Sequence, residues 1–163
     1  MAAKAERIEI RIAEDEKNDL LSLEIIDNGI GMDEETVKKA LDPFYTSKMV
    51  RRVGLGLSLL SESAKAANGK LTIESEQGKG TRVRAEFQFS HIDRKPLGDI
   101  DLTIITLVMG NPDVDFYYEI KKNNHTHSVD TRTIRADHKD SPLNSLEEIK
   151  LLKEKLKKTS DWI

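Results

Sequence analysis

The chain has no cysteine among its 163 residues, so a disulfide framework and cysteine-based catalysis are both excluded. This absence also fits a reducing compartment. Charge of one sign is not in excess, because 26 Lys and Arg residues stand against 29 Asp and Glu residues, for a net charge of -3. A general electrostatic attraction to nucleic acid or to an anionic membrane is therefore not expected.

Long hydrophobic runs are missing as well. No apolar stretch is long enough to cross a bilayer, and the first ten residues, MAAKAERIEI, lack the apolar centre of a secretory signal. The cytoplasm is therefore the default location, with no membrane partner. A chain of this length buries roughly two-thirds of its unfolded surface in one core, so we expect one domain with an appendage.

The first ninety residues show the hydrophobic periods of a mixed helix-and-strand domain. Apolar residues alternate with polar ones up to Asp27, which predicts a hairpin, and Asp33 stands where a helix N-cap is expected. Gly78 and Gly80 mark a turn between two later strands. In chain order we predict strands over residues 8–12 and 21–26, helices over 33–41 and 57–67, and strands over 71–73 and 83–89.

After Ser90 the composition changes, because Pro96 and Gly98 give the chain a linker-like turn. The remaining residues predict a helix, a strand pair and a charged helix, which we describe as an αββα extension. The predicted helix covers residues 100–108, the strands cover 116–120 and 129–134, and the last helix covers 146–156. His125 and His127 lie two apart here, but no further ligand of metal spacing accompanies them, so we favour ordinary surface histidines.

Two glycine pairs are the features most suggestive of a ligand site. Asp27 ends an apolar strand just before Gly29 and Gly31, so a carboxylate lies beside backbone that a ligand can approach closely. The second pair, Gly54 and Gly56, opens a predicted helix, whose free N–H groups can bind phosphate. Each pair is common wherever chains turn, and only the order of motifs along the chain is specific.

Four motifs in order carry that specificity: DNGIGM at 27–32, PFYTSK at 43–48, GLGL at 54–57 and GKGT at 78–81. Together they resemble the ATP-binding domain of the GHKL superfamily, which includes gyrase, heat-shock chaperones, sensor histidine kinases and mismatch-repair proteins. The spelling is most similar to the histidine-kinase branch. The resemblance implies an α+β fold, the Bergerat-type α/β sandwich, in which helices cover one face of a mixed, mostly antiparallel sheet. We therefore expect an ATP-binding domain over residues 1–90 and an extension over 91–163.

The resemblance also implies roles for individual residues. Asp27 would accept a hydrogen bond from the adenine amino group, Gly29 and Gly31 would keep backbone near the base, and Thr81 would add a hydroxyl there. Asn28 would lie close to the phosphates or their ion. Lys48 and Arg52 could belong to a solvated basic run, but we favour contact with phosphate. The full set of expected nucleotide contacts is Asp27, Asn28, Gly29, Gly31, Met32, Lys48, Arg52, Gly54, Leu55, Gly56, Leu57 and Thr81.

The sequence departs from the resembled fold at its N-terminus. There a helix that precedes the first strand supplies an Asn for the magnesium ion bound to ATP, whereas here residues 1–6 alone precede that strand. We expect a domain that is shortened, or else a trimmed product. The resemblance implies Mg²⁺ in the complete domain, but its ligand is not identified in this chain. Apolar surface that such a helix would cover leads us to expect self-association.

Three functions stay open at this point. A kinase or ATPase module would pass the terminal phosphoryl group of ATP to a side chain of a partner protein. A nucleotide-gated binding module would hold ATP or ADP and present a surface to a partner with little turnover. A structural protein that has lost its ligand is a third possibility, but the intact Asp27 and both glycine pairs argue against it.

Overall fold

The computed structural model describes residues 4–41, 56–123, 125–137 and 141–160. The PFYTSK motif at 43–48 and the first two residues of the GLGL motif, Gly54 and Leu55, lie outside the described residues. In chain order the elements are β1 (Arg7–Asp15), β2 (Leu20–Asp27), α1 (Glu34–Ala40), α2 (Gly56–Ala66), β3 (Lys70–Glu76), β4 (Gly80–Gln88), α3 (Ile100–Gly110), β5 (Asp115–Lys122), β6 (His125–Asp130), α4 (Thr131–Asp137) and α5 (Leu146–Ser160). No helix in the described part of the chain is long and apolar enough to span a bilayer.

The described strands form one six-stranded sheet in the order β3-β4-β2-β1-β5-β6. All neighbouring strands are antiparallel except β1 and β5, which are parallel. The helices pack on the sheet, with α2 against β3 and β4, and α3 and α4 against β5. This confirms the predicted α+β fold with a mixed, mostly antiparallel sheet.

Strict alternation along β1 gives the sheet one buried face and one charged face. Ile8, Ile10 and Ile12 are buried, and the residues between them are partly exposed. On the charged face Glu9 accepts hydrogen bonds from Arg7 at 3.1 Å and from Arg11 at 2.6 Å. A one-residue change of register would exchange these two sets, so the alternation fixes the register of the strand.

The strands of the extension continue the same sheet. β5 lies parallel to β1, with Ile8 opposite Phe116 and Ile10 opposite Tyr118. Phe116 and Tyr118 are both 1% exposed and belong to one hydrophobic cluster with the β1 isoleucines. The hydrophobic core is thus continuous across residues 90 and 91, and the domain boundary at that point stays a prediction.

The predicted return strand over residues 129–134 is wrong at its end, because Thr131–Asp137 forms the helix α4. Asp130 precedes this helix and accepts the backbone N–H of Arg132 at 3.0 Å, as an N-cap residue does. Thr131 is buried and its hydroxyl accepts the N–H of Phe116 at 2.8 Å. These two bonds outweigh the strand propensity of Thr131, Thr133 and Ile134.

Candidate functional site

A row of three polar side chains crosses one end of the sheet. Asp27 on β2 is the register partner of Thr81 on β4, and Thr81 is the partner of Ser75 on β3. Since side chains alternate along a strand, this row shares the helix-covered face with Ile25, Val83 and the other core residues. A carboxylate and two hydroxyls therefore stand at the edge of an apolar surface.

The next row inward is apolar. Ile25 pairs with Val83, and Val83 pairs with Ile73, so three branched side chains lie side by side. All three are only partly buried. A flat apolar surface beside a few directed hydrogen-bonding groups is what a planar ring system requires of a binding site.

Two sequence-distant glycines bring the loops at this end of the sheet together. Gly31 has φ +64, and a Cβ there would come within 2.7 Å of the carbonyl carbon of Glu76. Gly80 has φ +98, and a Cβ there would overlap the carbonyl oxygen of Asp27 and lie 2.9 Å from the Cα of Asn28. Only glycine satisfies both conditions, so the first and last motifs lock their backbones together.

Hydrogen bonds fix the same contact. Gly78 N donates to the carbonyl oxygen of Ile30 at 2.8 Å, and Met32 N donates to the Ser75 hydroxyl at 2.8 Å. The Ser75 Oγ also lies 3.0 Å from Gly80 O and 3.0 Å from Thr81 Oγ1. The loop after β2 and the turn between β3 and β4 therefore form one rigid frame around the polar row.

Asp27 uses one carboxylate oxygen in the fold, and its other oxygen has no donor among the described residues. Its Oδ1 accepts the backbone N–H of Gly29 at 2.8 Å, which is the ordinary local bond of a turn aspartate. Within the described residues no group donates to Oδ2. Asp27 is half-buried, and Gly29 is buried beside it. Adenine recognition by Asp27 stays a prediction, and one oxygen is placed where it can serve it.

Asn28 joins the end of β2 to the start of β1, at the open end of the N-terminal hairpin. Its Oδ1 accepts the backbone N–H groups of Glu6 and Arg7 at 3.0 Å and 2.9 Å, and its own N–H donates to the carbonyl of Arg7 at 3.3 Å. The side-chain oxygen is therefore occupied by the start of β1. Its expected proximity to phosphates or an ion stays a prediction.

The start of α2 points toward the same end of the sheet. The end of α2 connects through Gly69 to the start of β3, which lies at the other end of the sheet. Gly69 N donates to Ala64 O at 2.8 Å, and Gly69 packs tightly on the backbone of Glu86. Eleven residues at about 1.5 Å each carry the helix back toward the polar row. Gly56 is exposed and Leu57 is partly buried at this helix start. Their predicted contact with phosphate stays a prediction.

The expected contacts Lys48, Arg52, Gly54 and Leu55 lie outside the described residues. A metal site is not evident elsewhere, because no group of three or more acidic or histidine side chains in the described ranges is placed to hold an ion. His127 instead contacts the carbonyl of Lys155, at 3.2 Å. The described residues thus contain no cluster of three acidic or histidine side chains that would hold an ion by themselves.

Ser75 is a site residue that the motifs did not reveal. It could have been found from the hairpin, because a turn over residues 77–79 pairs Glu76 with Gly80 and hence Ser75 with Thr81. A surface cavity of about 310 Å³ lies at these strand ends and is lined by both Asp27 and Ser75. Some of its lining belongs to the charged face, so only the helix-covered side is assigned to the site.

Comparison with known proteins decides the family. Residues 1–91, more than half of the chain, match the family model described as histidine kinase-, DNA gyrase B- and HSP90-like ATPase. The chain belongs to this family. The predicted membership of the GHKL superfamily is confirmed, and the matched range contains all of the glycine motifs described above.

Relatives of this ATPase-family chain include both kinases and a regulator. The sensor histidine kinase YxdK of Bacillus subtilis is 37% identical over 90 residues, which cover 53% of this chain and 27% of the kinase. The anti-sigma F factor of Clostridium acetobutylicum is 34% identical over 74 residues, which cover 45% of this chain and 48% of the factor. The chain thus spans about half or less of each of these two relatives.

Proposed function

We propose that this chain binds adenine nucleotide at the Asp27 end of its sheet and acts as, or within, a protein-kinase signalling module. The observation that carries the proposal is the juxtaposition of Asp27 and Thr81 at the edge of the half-buried surface of Ile25 and Val83. Two hydrogen-bonding groups beside an apolar shelf fit the edge and the face of a purine ring.

Adenine is the base that this chemistry favours. The free Oδ2 of Asp27 is an acceptor, and the amino group at position 6 of adenine is a donor. Guanine has a carbonyl at that position, so two acceptors would meet and Oδ2 of the half-buried carboxylate would remain unpaired. Leaving such a group unpaired costs about 1–3 kcal/mol, which is enough to separate the two bases.

The phosphates would then extend toward the start of α2. Free N–H groups at a helix N-terminus favour negative charge, and Gly56 leaves that terminus without a side chain. Lys48, Arg52, Gly54 and Leu55 are proposed to complete this part of the site. Because no residue of the described chain is identified as a ligand of Mg²⁺, no step of the function is assigned to the ion.

A nucleotide-gated binding module is the second candidate. The similarity to an anti-sigma F factor favours a protein partner, as does the similarity to sensor kinases. In the kinase version the terminal phosphoryl group passes to a side chain of that partner. In the binding version the nucleotide stays intact, and its occupancy controls which surface the partner meets.

Titration calorimetry with ATP, ADP and GTP, each with and without Mg²⁺, tests the proposal. We expect ATP and ADP to bind and GTP to bind at least tenfold more weakly. Phosphate release from radiolabelled ATP then separates the two versions, because turnover supports the kinase or ATPase module and binding without turnover supports the gated module. No binding of any adenine nucleotide would refute both.

A further inference from the structure

The Ser75 hydroxyl makes three contacts in the site, and the chemistry of the partners fixes the direction of each. A hydroxyl has one hydrogen to donate and two lone pairs to accept with. Met32 N can only donate, so it takes one Ser75 lone pair at 2.8 Å. Gly80 O can only accept, so it takes the Ser75 hydrogen at 3.0 Å.

The third partner is Thr81, whose Oγ1 lies 3.0 Å from Ser75 Oγ. Because the Ser75 hydrogen is already committed to Gly80 O, Ser75 can meet Thr81 only with its second lone pair. Thr81 must therefore donate its hydrogen to Ser75. The lone pairs of Thr81 are left to face the site, so that the hydroxyl is presented as an acceptor.

We propose that Ser75 is a positioning residue that fixes Thr81 as a hydrogen-bond acceptor toward the base of the bound nucleotide. This inference rests on the proposed function and adds a determinant of specificity to it. With Thr81 held in this way, the site presents an acceptor from β4 beside the Asp27 carboxylate from β2. A purine with an amino group at position 6 is favoured over one with a carbonyl there.

Removal of the Ser75 hydroxyl frees the Thr81 hydrogen. In Ser75→Ala, Thr81 can rotate and donate to a carbonyl as readily as it accepts from an amino group. Met32 N also loses its acceptor, which loosens the frame, but this affects every nucleotide alike. The ratio of affinities for ATP and ITP therefore reports the direction of the Thr81 hydrogen, whereas the absolute affinities report the frame.

Competition binding with ATP and ITP measures this ratio. We expect Ser75→Ala to lower the preference for ATP about tenfold, since one directed hydrogen bond is at stake. Ser75→Thr keeps the hydroxyl and should restore the parent ratio. Thr72→Ala is the matched control, because Thr72 lies on the same strand and its hydroxyl donates to Arg84 O, outside the site, at 3.4 Å. The ratio of ATP to ITP affinity in Thr72→Ala should equal that of the parent.

A second variant protects the test against misfolding. Ser75→Cys fills nearly the same space with a thiol that donates and accepts weakly, and it should also lower the ratio. A parent-like ratio in both Ser75→Ala and Ser75→Cys would overturn the inference and leave Ser75 a purely structural residue. If the parent chain binds neither ATP nor ITP, the proposed function fails instead, so the two failures are distinct.

Discussion

Replacement of Gly80 by alanine tests the lock between the two glycine motifs, with Gly78 as its internal control. Both glycines have positive φ, +78 for Gly78 in the turn before β4 and +98 for Gly80 at the first residue of β4. A side chain in left-handed backbone costs roughly 1–2 kcal/mol at either position. No described atom lies within 4 Å of a Cβ at position 78, so backbone strain is the main effect of Gly78→Ala.

Gly80→Ala adds a collision to that strain. Its Cβ would overlap the carbonyl oxygen of Asp27 and lie 2.9 Å from the Cα of Asn28, and both obstacles are backbone atoms that cannot rotate away. β2 and β4 must separate at this end, which breaks one or two ladder hydrogen bonds at about 1 kcal/mol each. We therefore expect Gly80→Ala to lower the free energy of unfolding by about 2–4 kcal/mol, against about 1–2 kcal/mol for Gly78→Ala.

Urea denaturation followed by circular dichroism measures both values, and nucleotide titration of the folded variants adds a second readout. Gly78→Ala should keep the affinity of the parent for ATP, whereas Gly80→Ala should lose most of it because Asp27 moves. Equal destabilisation by the two substitutions would show that the close approach of the backbones is not what the fold needs at Gly80.

Three further predictions concern side chains that connect neighbouring strands and helices. Thr131→Val leaves the buried N–H of Phe116 without its acceptor, so it should lower the free energy of unfolding by about 1–3 kcal/mol in the same urea assay. The control Thr133→Val removes an exposed hydroxyl and should lower the free energy of unfolding by less than about 1 kcal/mol. Asn28→Ala removes the acceptor of two backbone N–H groups and should cost about 1–2 kcal/mol; no change in the denaturation midpoint would contradict the role given to Asn28. Burial opposes ionisation of Asp130, but hydrogen bonds from Arg132 and the charge of Arg7 hold its pKa below the ordinary 3.8. Its contribution to stability is thus complete above about pH 4 and lost as the pH falls through the lower folded pKa, so Asp130→Asn should flatten the stability profile below about pH 4.

The two hairpins could be predicted because local patterns encode them. Alternation fixes which side chains of β1 and β2 face the core, and the glycine turn before β4 pairs Thr81 with the end of β3. The pairing of Thr81 with Asp27 joins two strands that are distant in sequence, and it was expected only from the family resemblance. The partner strand of Thr81 followed from the same turn, although Ser75 itself carried no motif.

The remaining features depend on contacts between distant parts of the chain. β5 pairs with β1 across more than a hundred residues, and nothing in the local pattern of residues 115–122 selects that partner or its parallel direction. The start of α4 was missed because the cap at Asp130 and the buried bond to Phe116 outweigh the propensity of three β-branched residues. The bonds from Glu6 and Arg7 to Asn28 were not predicted, since they become visible only in the folded hairpin, and the assignment of Asn28 to the phosphates stays a prediction.

The most direct test of the account is the affinity of an Asp27→Asn variant for ATP. An amide at this position has fewer acceptor sites and no charge, and the local bond from Gly29 can persist through its oxygen. Asp15→Asn is a matched control, because Asp15 also ends a strand and accepts a local backbone N–H, from Asn18 at 3.1 Å. We predict that Asp27→Asn binds ATP at least tenfold more weakly than the parent, while Asp15→Asn binds ATP as the parent does. Equal ATP affinity in the parent and in Asp27→Asn would contradict the assignment of Asp27 to the adenine base.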